Sequence, residues 1–407
     1  MNPIVYLQEE QISALFESNN KKPTKGFAYC MDNSTVIHAF TKMPKVSPPG
    51  QYLDTWFIFA KSLQDFEKSS CKDITHIGLV VFFVLDNKIL KSKARLVMEE
   101  IAQVSEQDCI VKYIPEKSDL YSRSKGLLET DVLAKKTVGI VGLGSGGSPI
   151  ATELAKAGIG KFVLIDFDRL ELSNVARHIC GINDLGRYKT FAVGDFILQK
   201  NPHAEITTLE IDVNQYRDEC SNALSKVDLI ICASDNDRSR FFLNEIALKY
   251  KIPAIFGRAI TRAVGGDVLR VRPYKGPCYS CLYSQNIRQE GSDDEEISQE
   301  KQAKKLFPDY TNENDIKTVI QVGLASDIAP ITNFMVKLAL VELSRGLDSG
   351  IKSLEEDLVA DFYIWANRRE NIYENWNKLE YTFNKPTILR WYGAKVIRDP
   401  NCMVCNI

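Results

Sequence analysis

The stretch VGIVGLGSGGSPIATELAKAGIG, residues 138–160, decides the fold. An apolar run, a glycine-rich turn and a helix of small residues follow one another. This is the form of a parallel strand handing over to a helix through a loop that can cradle phosphate. Gly142 allows the tight turn, Gly144 lets the backbone approach an anion, and Gly147 lets helix and strand pack closely. That spacing suits a dinucleotide and ATP equally, so the ligand has to be read from residues further along the chain.

The alternation of strand and helix continues downstream. Apolar strands are expected at TVGIVGL, KFVLIDF, EITTLEI, VDLIICA and IPAIFG, which predicts an α/β fold, a doubly wound, mostly parallel Rossmann-like sheet. The second strand runs into IDFDRLELSNVARH and puts Asp166 where a carboxylate meets ribose hydroxyls. Asn174, Arg177 and, in GRYK, Lys189 follow on the same rim. A dinucleotide pyrophosphate is satisfied mainly by backbone donors, whereas a triphosphate calls for arginine forks and a lysine point charge. Each basic residue alone reads equally as a solvated surface charge; their order favours ATP. The fourth strand ends IICASDNDRSR, placing Asp235 and Asn236 at its carboxyl end. A carboxylate facing a triphosphate is a natural Mg²⁺ ligand, while Ser234 or Asp235 would also serve as a helix N-cap.

Two C-x-x-C pairs, Cys278 with Cys281 and Cys402 with Cys405, have the ligand spacing of a closed four-thiolate zinc site. Such a site is structural and would pin the carboxyl end to the sheet domain.

Composition narrows the partners. The chain has 407 residues, 44% hydrophobic and 26% charged, with a formal net charge of -2. That describes an ordinary globular protein of two or three domains, and no basic stripe invites nucleic acid. The longest apolar run, IGLVVFFVL, is half of a membrane span, and the start MNPIVYLQEEQ lacks signal-peptide features. A cytoplasmic protein with no membrane partner is expected, its 10 cysteines thiols or metal ligands rather than disulfides.

Taken in order, GLGSGG, IDFDRLELSNVARH, GRYK, ASDN and the pair CYSC and CMVC resemble the adenylation domain of ubiquitin-like-protein activating enzymes, the ThiF/MoeB family. The resemblance covers about residue 120 to the end. It implies ATP and Mg²⁺ beside structural Zn²⁺, with Asp166 on the ribose, Asn174, Arg177 and Lys189 on the phosphates, and Asp235 on magnesium. LYSRSKGLLE is similar to the family's entry helix and makes Arg123 the candidate arginine finger, acting in trans in a C₂ homodimer. The implied partners are a ubiquitin-like protein, whose C-terminal glycine carboxylate attacks the α-phosphate, and a conjugating enzyme. The wording DLYSRSKGLLETDVL with VGIVGLGSGGS resembles the activating component of bacterial ubiquitin-like antiphage operons of the Bil type.

One departure stands out. No cysteine lies between Cys281 and Cys402, where family members commonly keep a thioester-forming thiol. Cys180, three residues past Arg177, is the candidate nucleophile, against the plainer reading of a small packed side chain. Alternative functions are a peptide adenylyltransferase of the microcin type, sulfur-carrier activation, and a catalytically idle scaffold.

Residues 119–407 are expected to form the adenylation domain, interrupted at 284–317 by a charge-rich, mobile loop. Residues 1–118 are expected to form a smaller α+β domain, with helices near 9–17, at 56–67 and at SKARLVMEEIAQV, and strands at GFAYCMD, STVIHAFTKMPKV and HIGLVVFFVL. It is read as partner-recruiting, or as a degenerate relative of the metalloproteases that remove ubiquitin-like tags. His38, His76, His178 and His203 form no H-x-H pair, so no active protease is expected there.

Overall fold

The structure, a computed structural model, describes the chain except residues 1, 19–21, 32–34, 45, 69–77, 87–88, 101–102, 115–119, 286, 288–322, 371–372, 379–385 and 407. The charged stretch 284–317 therefore falls, but for its first residues, outside the described residues, as do Cys71 and His76. The chain divides into two compact units, Met1–Arg123 and Ser124–Ile407.

In the first unit seven strands close a barrel. They are β1 (Ile4–Gln8), β2 (Thr24–Met31), β3 (Val36–Phe40), β4 (Gln51–Phe59), β5 (Gly78–Asp86), β6 (Ile89–Glu100) and β7 (Gln103–Ile114), in the order β1-β3-β2-β4-β5-β6-β7, with β7 pairing back onto β1. Val5, Leu7, Ile37, Phe57, Leu79 and Phe83 pack into one core with Ile12 of the helix Glu9–Ser18.

Two expected helices are strands instead. The segment expected to be helical at 56–67 is β4 as far as Phe59, and only Leu63–Lys68 is helical. Phe57 and Phe59 join the core, while Trp56 and Ile58 pack with Phe66 in a separate cluster. SKARLVMEEIAQV spans the end of β6 and the start of β7. Its Ala, Leu, Met and Glu favour helix locally, but Ala94 and Leu96 pair with Val81 and Leu79 of β5, and that pairing overrides the preference.

The second unit bears out the doubly wound sheet. Its eight strands are β8 (Thr137–Val141), β9 (Lys161–Ile165), β10 (Glu205–Leu209), β11 (Leu229–Cys232), β12 (Ala254–Ala259), β13 (Gly265–Val271), β14 (Phe362–Ala366) and β15 (Arg390–Ala394), in the order β10-β9-β8-β11-β12-β13-β14-β15. The first five in that order are parallel and the last three add antiparallel. β8 is buried from Val138 to Val141, as a strand with helices on both faces must be. One apolar core takes in Ile150, Leu154, Val193, Ile197 and Leu338 from three helices; the other takes in Leu224, Leu243, Ala247 and the four cysteines of the C-x-x-C pairs. The chain runs outward from β8 through β9 to β10 and then returns to β11 on the other side of β8, so a crevice opens at the carboxyl end of β8. No helix among the described residues is long and apolar enough to cross a membrane.

Candidate active site

A cleft of about 340 Å³ lies at that crevice, lined by the glycine loop, the residues after β9, the segment after β10 and the segment after β11. It gathers Gly142, Gly144, Asp166, Asn174, Arg177, Lys189, Asp235 and Asn236, eight residues singled out from the sequence.

The glycines divide the work. Gly142 has φ +84°, and a Cβ there would lie 2.8 Å from the backbone of Ala233. A Cβ on Gly147 would lie 1.8 Å from the Gly142 carbonyl oxygen, so that position keeps helix and loop together. Gly144 is different: a Cβ there meets nothing within 4 Å, since the position opens on the cleft. The helix Gly147–Lys156 starts from Gly146 with no side-chain cap, leaving its amino end to an anion.

Asp166 is buried and anchors the loop. Its Oδ2 accepts from the Leu143 N–H (2.6 Å) and its Oδ1 from the Asp168 N–H (2.8 Å). Burial pushes its carboxyl above the ordinary value, opposed by the Lys189 charge and these two donors. Lys189, buried at the start of the helix Lys189–Lys200, donates from Nζ to Asp168 Oδ2 (2.7 Å), and its N–H bonds the Asp168 carbonyl (3.0 Å). Asn174 Oδ1 accepts from the Glu171 N–H (3.0 Å) in a capping box, and Arg177 follows one turn on, half-buried.

At the other lip, Asp235 is exposed. The cap of the helix Asp237–Tyr250 is neither Ser234 nor Asp235 but Asn236, whose Oδ1 accepts from the Ser239 N–H (2.9 Å). An asparagine carbonyl reaches the third helical N–H as a serine or aspartate oxygen would, and here the chain enters the helix one residue later.

Asp168, His178 and the segment after β10 are among the lining groups that were not singled out from the sequence. Asp168 holds Lys189, as above. His178 joins two parts of the site: its Nδ1 accepts from the Cys180 N–H (3.0 Å), so Nε2 carries the hydrogen and donates to the Leu143 carbonyl (2.7 Å). Burial pushes its pKa below the ordinary histidine value. The third is the segment Ile211, Asp212, Val213 and Asn214, which follows β10. The rule that ligands sit beyond strand carboxyl ends could have located it from EITTLEIDVNQY.

Cys180, the candidate nucleophile, packs in the core of the second unit. It is buried, and burial pushes its thiol up to about 12, against the expectation that nearby basic groups would lower it. Arg123 is exposed on the 3₁₀ turn Ser122–Ser124.

The four cysteines do meet. All are buried, their sulfurs lie within 4.8 Å of one another, and three of the Sγ separations are 3.7, 3.7 and 3.6 Å. Four thiolates bound tetrahedrally at about 2.3 Å are about 3.8 Å apart, so the cluster fits zinc.

The profile of the ThiF family matches residues 120–377. The chain is similar to adenylyltransferase and sulfurtransferase MOCS3 of Aedes aegypti, 30% identical over 202 residues, covering 48% of this chain and 45% of that protein. It is also similar to ubiquitin-like modifier-activating enzyme 5 of Caenorhabditis elegans, 30% identical over 164 residues and covering 38% of this chain and 39% of that one. The chain thus spans less than half the length of these relatives. A solved structure of E. coli MccB with ATP superposes over 68% of each chain at 18% identity, with a TM-score of 0.47.

Proposed function

Because the chain belongs to the ThiF family, we propose that its second unit binds ATP and adenylates the C-terminal carboxylate of a ubiquitin-like protein. The observation that carries this is one cleft holding a glycine loop open at Gly144, a buried acid at Asp166, two cations at Arg177 and Lys189, and an exposed acid at Asp235. A carboxylate oxygen of the terminal glycine attacks the α-phosphorus, the bond to the β-phosphate oxygen breaks, and pyrophosphate leaves an acyl-adenylate. Asp166 accepts from the ribose hydroxyls; Arg177, Lys189 and the Asn174 amide neutralise and orient the phosphates. Asp235, with Asn236 beside it, would hold Mg²⁺, which offsets the charge of the departing pyrophosphate. No protein nucleophile is needed for this step; positioning and charge suffice.

Cys278, Cys281, Cys402 and Cys405 would hold a structural zinc with no open position. In the same reading the assembly is a homodimer in which Arg123 of one protomer reaches the other's phosphates. The acyl group passes to the cysteine of a conjugating enzyme, within a bacterial antiphage conjugation pathway. The support for that pathway is the sequence wording around residues 119–148.

The test is exchange of labelled pyrophosphate into ATP by the purified full chain. Exchange is expected only with a ubiquitin-like protein bearing a free C-terminal glycine. Exchange with a short peptide alone would favour a peptide adenylyltransferase, and none with any partner would favour an idle scaffold.

A further inference from the structure

The C-x-x-C pair Cys278 and Cys281 carries two tyrosines, Tyr279 between the cysteines and Tyr283 just after them on the short helix Cys281–Ser284. Neither takes part in holding a metal. Both phenols converge on one carboxylate: Tyr279 donates to Asp237 Oδ1 at 2.6 Å and Tyr283 to Asp237 Oδ2 at 2.5 Å. Asp237 is the first residue of the helix Asp237–Tyr250, directly after Asn236 and two residues from Asp235.

One turn along that helix, Arg240 is 3% exposed. It donates to Asp237 Oδ1 (3.2 Å) and, from its other terminal nitrogen, to the carbonyl oxygen of Ser234 (2.8 Å). The lip Ser234, Asp235, Asn236 is thus held at its start by Arg240. It is further fixed by the Asn236 cap on Ser239 and by the bond between the Ser234 and Ser239 hydroxyls (2.6 Å). A second clip ties helix and knuckle together, the Tyr279 N–H donating to Asn244 Oδ1 (3.0 Å). Phe241 sits against both tyrosine rings, at centroid distances of 5.3 and 4.9 Å.

We propose that Tyr279, Tyr283, Asp237 and Arg240 are positioning residues that couple the four-cysteine knuckle to the cation-facing lip of the cleft. The knuckle then does more than pin the carboxyl end of the chain. By holding Asp237 from one side it orients Arg240, which sets the backbone of Ser234 and with it the carboxylate of Asp235. The bonds to Asp237 are charge-assisted, the strong class, and the buried arginine is correctly placed only while that carboxylate is. The relay rests on the reading of Asp235 as the Mg²⁺ ligand of an ATP site.

The test measures binding, so it is independent of adenylation. Full-chain Tyr283→Phe, Asp237→Asn and the double variant are titrated with Mg²⁺ while binding of a fluorescent ATP analogue is followed. Metal content of the cysteine cluster and the melting curve are recorded alongside. Tyr283→Phe is expected to keep its metal, its melting curve and its affinity for the analogue without Mg²⁺. Its Mg²⁺ midpoint should rise by about tenfold, the low end of what losing one charge-assisted hydrogen bond does. The double variant should go no further than Asp237→Asn, since both act through one carboxylate. Tyr279→Phe serves in place of any variant that melts early. An unchanged Mg²⁺ midpoint, or effects that add, overturns the coupling. A wild-type chain that binds the analogue with Mg²⁺ but exchanges no pyrophosphate would remove the adenylation reading and leave this test standing; one that binds no nucleotide overturns both.

Discussion

Gly144→Ala separates the ligand's needs from those of the fold. A methyl at Gly142 or Gly147 runs into backbone, at 2.8 and 1.8 Å, whereas at Gly144 it meets nothing within 4 Å. Folding should therefore tolerate it. Replacing a glycine where the native backbone suits alanine adds about 0.4–1 kcal/mol by restricting the unfolded chain, so the melting temperature should hold or rise slightly. The methyl nevertheless occupies the side of the loop that opens on the cleft, where phosphate oxygens must come within hydrogen-bond reach of the N–H groups. Pushing the phosphates back costs one or two charge-assisted bonds at about 1.5–3 kcal/mol each. That is roughly a 10- to 150-fold rise in the KM for ATP for each bond lost. Pyrophosphate exchange against ATP concentration, with thermal denaturation of the same samples, makes the comparison. Unchanged ATP dependence in a stable Gly144→Ala protein would mean that the phosphates do not cross this position. A loss of stability matching the loss of binding would mean that the space is not free.

Three further outcomes follow from the same geometry. Cys180→Ala should leave exchange within about twofold and any thiol-sensitive adduct in the intact mass unaltered, because a buried thiol near pKa 12 is neither accessible nor ionised; disappearance of such an adduct would restore Cys180 as nucleophile. The folded pKa of His178 lies below its unfolded value, so the unfolded chain takes up the proton first and stability falls as pH drops below about 6.5; urea midpoints between pH 7.5 and 5.5 should show a shallower slope for His178→Gln, and equal slopes would contradict this. Cys402→Ser leaves three thiolates, and zinc measured by mass spectrometry should drop with a loss of several of the order of 10 kcal/mol that a structural zinc can supply; full metal content with an unshifted unfolding midpoint would remove zinc from the reading.

What the sequence disclosed was local. Gly142 and Asp166 are each fixed by a strand end and the turn after it, so GLGSGG and IDFD by themselves put both at the cleft. Asp168 and His178 escaped because their partners lie far along the chain: Lys189 is 21 residues beyond Asp168, and Leu143 is 35 residues before His178. Nothing in the intervening residues encodes those bonds. The first unit failed for a related reason. ARLVMEE is rich in helix formers, and only its pairing with β7 and with β5, whose residues Gly78 to Val84 are all buried, makes it strand. The cysteine cluster was legible across 124 residues because two C-x-x-C spacings carry their own geometry, while the tyrosines beside them gave no signal until both hydroxyls were seen on Asp237.

The thiols bear on how the acyl group would leave. Among the described cysteines, Cys30 and Cys109 are part-buried on β2 and β7, and burial pushes Cys109 up to about 11. Cys180, Cys220 and Cys232 are buried, with burial pushing Cys180 and Cys220 up to about 12. The other four form the buried four-cysteine cluster. A thiol pushed up this far stays protonated at neutral pH, and a buried one cannot meet a protein-sized acyl group in any case. In the proposed reaction the adenylate would then be the last intermediate held by the second unit, attacked at its acyl carbon by the acceptor's own thiolate, with AMP leaving. That division suits a cleft whose two cations would face the phosphates: the same charges that favour attack on the α-phosphorus would stabilise AMP as the leaving group, so one set of residues would serve both half-reactions.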